Sequence, residues 1–103
     1  MRIVLAPLAA QDLKEAGDYI EADRPAAADE MLVGITNALA LLASGIVSGA
    51  EVTLKDGRKV NYWSVPPFRI YYRIRGAELQ VARVYHQARR PIERRPRQRK
   101  AIR

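Results

Sequence analysis

The chain has 103 residues, 49% of them hydrophobic, and carries a net charge of +7. That is enough for one core and one domain and too little for two, and with no cysteine neither a disulfide nor a thiolate metal site can reinforce the core. A single histidine cannot build a zinc site, so neither metal nor cofactor is expected.

The opening "RIVLA", Arg2 to Ala6, is a strand by composition, and Pro7 suits the first position of a helix. The apolar stretch in "MRIVLAPLAA" is at the short limit for a secretion signal and runs on in helical register, and no run approaches the ~20 apolar residues of a membrane span. A cytoplasmic protein without a membrane contact is the expectation. Ala9, Leu13, Ala16 and Ile20, with Tyr19 beside them, form one face of a helix ending near Ala22, while Gln11, Asp12, Lys14, Glu15 and Asp18 lie opposite. "DRP" then restarts the chain. Pro25 is a first helical residue, Asp29 and Glu30 sit near the positive end of the helix dipole, and Ala28, Leu32, Ile35, Leu39 and Leu42 share a face up to Gly45. Two helices joined by about four residues pack as an antiparallel hairpin with one apolar side to bury, which requires a sheet.

"SGIVSGAEVTLKDGRK" has three glycines and reads as loop, with a tight turn at Asp56-Gly57. "KVNYWSV" is a strand that Pro66-Pro67 terminates. Phe68, Ile70, Tyr72 and Ile74 then alternate with Arg69, Tyr71, Arg73 and Arg75. With Gly76-Ala77 as a two-residue loop, Arg75 pairs with Glu78, and Leu79, Val81, Arg83 and Tyr85 join the apolar side. The other face carries Arg69, Tyr71 and Arg73 with Gln80, Ala82, Val84 and His86, so Arg69 lies across from Val84 and diagonal to His86. A shift of one residue would undo that neighbourhood.

From Met1 to Gly49 three basic residues face seven acidic ones, a net of −4, and Ala50 to Ala88 returns +4. The whole excess therefore lies in "RRPIERRPRQRKAIR", where eight basic residues accompany Glu93 alone. Residues 1–90 read as one domain and 91–103 as a basic tail, in which Pro91 and Pro96 oppose a long helix. Clustered arginines of this kind engage phosphates or carboxylates, so nucleic-acid contact through the tail is an expectation.

The order strand, helical hairpin, three-stranded meander, with "FRIYYR" at Phe68 to Arg73 and "RVYHQAR" at Arg83 to Arg89, resembles the RelE/ParE superfamily of bacterial type II toxins, and most of all its ParE branch. The resemblance runs from Met1 to about Arg90 and implies an α+β fold: an N-terminal strand and an antiparallel helical hairpin packed on a twisted antiparallel sheet. It also implies a cognate ParD-like antitoxin, bound through the sheet and helical-hairpin surfaces, for which Trp63, Phe68, Tyr71, Arg73 and Arg75 are the candidate contacts.

RelE-type members are ribosome-dependent mRNA endoribonucleases, whereas ParE-type members poison DNA gyrase. For a nuclease, Arg69 matches the strand arginine on the scissile phosphate, His86 a terminal acid and Glu51 a base, with Lys55 and Lys59 in an uncertain register for the RelE lysine pair. Gln87 stands where such nucleases carry an aromatic, which favours the gyrase poison, a binding protein and not an enzyme. The candidate target contacts are then Arg69, Arg73, Arg83, His86, Arg89 and Arg90.

Overall fold

The computed structural model describes residues 1–94. Five strands and two helices follow in the order β1 (Arg2–Leu5), α1 (Pro7–Asp23), α2 (Pro25–Ser44), β2 (Ala50–Thr53), β3 (Lys59–Val65), β4 (Phe68–Arg75) and β5 (Glu78–His86). They make an open mixed sheet in the order β1-β5-β4-β3-β2, in which β1 runs parallel to β5 and every other pair is antiparallel. Both helices lie on one face. The α+β architecture is the expected one, and the stretch read as loop after Gly45 contains the additional edge strand β2. Short length and flanking glycines conceal it in the sequence.

Each helix starts on a proline in its first turn, where the missing N–H costs nothing. The expected linker of about four residues is Arg24 alone, because α1 runs on to Asp23. Extended at φ −144°, Arg24 closes the first helix with its N–H on the Ile20 carbonyl at 2.7 Å and also serves as N-cap of the second. Gly45, at φ 81°, ends α2 in the left-handed conformation that glycine adopts without cost. With 20 residues and a mean hydropathy of 1.4, α2 is long and apolar enough to cross a membrane by composition. Here Ala28, Ile35, Ala38, Leu39 and Leu42 are buried within the fold. Leu32 and Tyr19, expected on the apolar faces, are instead 43% and 82% exposed. The helical period drifts across a 20-residue helix, so Ala38 replaces Leu32 as a buried position.

The sheet carries a hydrophobic cluster on each face. Under the helices, Phe68, Ile70, Tyr72, Leu79, Val81 and Val84 meet Ala9, Ile35 and Leu42. On the opposite face Leu54, Val60 and Tyr71 pack with Val52, Tyr62, Tyr85 and Ile92. Ile92 belongs to a segment that leaves β5, crosses this second face and reaches the outer edge by β2. There the Ile92 carbonyl accepts from the Lys55 N–H at 2.8 Å and the Arg94 N–H donates to Thr53 at 2.6 Å, with Leu54 opposite Glu93. The folded body thus extends past the boundary expected at Arg90, at least to Arg94. The remainder of the expected tail, residues 95–103, lies outside the described residues.

The register of β4 and β5 determines what each face presents. Arg75↔Glu78, Ile74↔Leu79, Arg73↔Gln80 and Tyr72↔Val81 pair as the two-residue loop requires. Between Tyr72 and Tyr71 the pairing slips, so that Tyr71 meets Arg83, Ile70 meets Val84, Arg69 meets Tyr85 and Phe68 meets His86. Ala82 is the extra residue of a β-bulge. Beyond it every side chain of β5 exchanges faces relative to the flush register: Val84 enters the helix-side core, and Arg83 and Tyr85 face the other way.

Candidate functional site

The bulge is held from outside the sheet. Beyond its pairing with β1, β5 has an open edge, and there α1 presents Asp12, 5% exposed. The Asp12 carboxylate accepts from the Val84 N–H at 3.0 Å and from Arg83 Nε and Nη2, both at 2.8 Å. This bidentate bond holds the Arg83 guanidinium above its ordinary pKa. Arg83 also stacks on Tyr85, 5.1 Å from its centroid, as does Arg89, and the Tyr85 hydroxyl donates to the Arg90 carbonyl at 2.6 Å. Of the candidate target contacts, Arg83 is therefore committed to the fold, and Arg89 lies exposed against an aromatic ring.

On the same face Arg69 stacks on Tyr62, 4.3 Å from the centroid, and donates from Nη1 to Glu93 Oε2 at 2.5 Å. The Tyr71 hydroxyl donates to that same oxygen. Burial alone would lower the pKa of Arg69, and the hydrogen bond and charge of Glu93 outweigh it and raise the value. Burial, then the Glu93 carboxylate, pushes the Tyr71 phenol well above its usual range. Arg73 lies further along this face with Nε on Gln80 Oε1 at 3.0 Å.

His86 is elsewhere. Its ring meets Phe68 edge-on at 5.2 Å on the helix side, and its Nδ1 accepts from the Ala88 N–H at 3.0 Å, which leaves the proton of the neutral ring on Nε2. Arg69 and His86, expected as neighbours, thus lie on opposite faces of the sheet, because the bulge supplies the one-residue shift. Glu51, exposed on β2 and paired with Asn61, shares the helix-side register, away from Arg69. Gln87 clasps the end of the sheet, with its N–H on the Pro67 carbonyl at 2.8 Å and its amide on Ser64 at 3.4 Å.

Among the candidate antitoxin contacts, Phe68 and Tyr71 are buried inside the chain and offer no surface, and Trp63 is half-buried against the helix-side core. Aromatic side chains are thus divided between two cores, one on each face of the sheet. Arg73 and Arg75 are exposed. An open groove of about 920 Å³ runs between the helices and the Pro66-Pro67 turn, with Ala16, Ile20, Met31 and Val65 in its wall and Glu15, Arg24, Glu30, His86 and Arg89 around it.

The family model of the ParE toxin of type II toxin–antitoxin systems, parDE, matches residues 3–91. The chain belongs to the ParE toxin family. Among solved structures, the chromosomal ParDE toxin–antitoxin system from P. aeruginosa is similar in fold, with a TM-score of 0.66 at 21% identity over 84% of this chain and 95% of that one. A search of curated proteins finds no significant match. Asp12, Ala82 and Glu93 are the determinants that the toxin's sequence kept hidden. Asp12 stands among the polar residues of α1, and nothing in β5 marks Ala82 as extra. Glu93 did carry a signal, as the single acid in an arginine-rich run.

Proposed function

We propose that this ParE toxin acts by binding DNA gyrase and not by catalysis, and that a ParD-like antitoxin neutralises it in the cytoplasm. The observation that carries this reading is the separation of Arg69 from His86 and Glu51 by the thickness of the sheet. Cleavage by a ribose hydroxyl needs a base, an acid and a cation around one phosphate. Here the cation on one face is occupied by Glu93, and the histidine lies on the other against Phe68. Arg73, Arg75, Arg89 and Arg90 supply exposed positive charge, and the sequence beyond Arg94 holds five more basic residues. Such charge binds phosphate or acidic protein, and the binding loosens steeply with salt.

The groove between the helices supports the antitoxin assignment: an apolar floor with acidic and basic rims accommodates an amphipathic segment. Purified gyrase supplies the test. Inhibited supercoiling or trapped cleaved DNA, relieved by the product of the neighbouring reading frame, is the expected result. Intact supercoiling at concentrations that kill cells, together with shortened message half-lives, would transfer the activity to the ribosome.

A further inference from the structure

Arg69 and Tyr71 aim their donors at one point, and a carboxylate of the chain itself stands there. The guanidinium is stacked on Tyr62 and one-third exposed, so its position is fixed and its charge is less screened than that of Arg73 or Arg75. Two convergent donors on a single oxygen make a receptor for an oxyanion. Glu93 reaches it on residues 92–94, whose attachment consists of two backbone hydrogen bonds at the edge beside β2 and the half-buried Ile92 side chain. The preceding residues, from Gln87 to Pro91, are exposed. A segment held this way belongs to the low-stability end of a fold, the part that opens first.

We propose that Glu93 is an internal competitor: the Arg69–Tyr71 niche binds a phosphate or carboxylate oxyanion, and residues 92–94 form a latch that closes it at rest. A tethered carboxylate acts at an effective concentration of millimolar order or above, so it excludes weak free anions, while a multivalent partner that gains further contacts displaces it. An ordinary structural ion pair differs from this latch in one respect, since opening such a pair creates no ligand site. The inference does not depend on which macromolecule the toxin poisons.

The Arg69 Nε–H resonance in the full chain reads the niche directly as inorganic phosphate or, separately, acetate is added. Glu93→Gln keeps the shape and removes the charge, and Ile92→Ala loosens the latch while leaving both donors of the niche in place. Either variant is expected to saturate at an anion concentration at least about tenfold below that of the wild type, with Tyr71→Phe, which keeps the reporting arginine and removes the second donor, weakening the response. Preference for phosphate identifies a nucleic-acid backbone as the source of the anion, and preference for acetate an acidic protein side chain. Should Glu93→Gln fail to fold, Ile92→Ala carries the same comparison. Equal, non-saturating shifts in wild type and variants would overturn the proposal.

Discussion

Asp12 shows how one carboxylate can organise the end of a sheet. It satisfies an edge N–H that no strand covers and neutralises an arginine that the bulge has turned out of the helix-side core. Asp12→Ala leaves both groups without their acceptor, and a loss of roughly 2–4 kcal/mol is expected in urea denaturation. Asp12→Asn should cost less, and a double-mutant cycle with Arg83→Met should show strong coupling. Tyr71 makes a pH prediction. Its phenol ionises later in the folded chain than near the ordinary pKa of 10.0, so its contribution is fully present below pH 10 and is lost as the pH rises above it. Tyr71→Phe is expected to flatten the fall in stability above pH 10, measured by chemical denaturation at a series of alkaline pH values.

The elements were legible where period and punctuation agreed, and hidden where a single residue altered the count. Proline at each helix start, glycine at the end of α2 and the alternation of Phe68 to Arg75 all declare themselves, and the hairpin at Gly76-Ala77 has the expected register for its first four pairs. Ala82 then changes the faces of Arg83 to His86, and no composition rule separates an alanine in a bulge from one in a regular strand. Most of the arginines on the exposed face could therefore be named, but not the location of the histidine relative to them. Deleting Ala82 should therefore straighten β5 while leaving Val84 in the core and Arg83 on the opposite face, and a folded chain by circular dichroism is the expected outcome. At β2 the constraint is space: a Cβ on Gly49 would collide with the Tyr62 carbonyl and crowd the Tyr72 hydroxyl that accepts its N–H at 2.7 Å. Gly49→Ala should cost roughly 1–3 kcal/mol by thermal or urea denaturation.

At the scale of the whole molecule, the second core is incomplete without the chain that follows β5. The sequence suggests a domain ending at Arg90, because prolines and arginines dominate from there on, yet Ile92 and Glu93 are packed and bonded within the body. Truncation before Pro91 should therefore lower the melting temperature by several degrees, whereas truncation after Arg94 should preserve the fold and weaken salt-sensitive target binding. Far-ultraviolet circular dichroism on the two truncations, with antitoxin capture alongside, separates these roles.

The neighbours of β5 in the sheet have a further consequence, for the nascent toxin. This strand, whose pairing begins at Glu78, lies between β1 and β4, so the first strand synthesised waits for one of the last. Until it arrives, Arg2 to Leu5 have no ladder partner in the sheet, Asp12 has no guanidinium, and the helical hairpin has lost half of its floor. Contacts of such long sequence separation slow folding and leave apolar surface uncovered in the meantime. A ribosome that stalls before Glu78 thus releases a chain without the strand that joins β1 to the sheet, open to proteolysis, and the fold closes only once β5 has emerged.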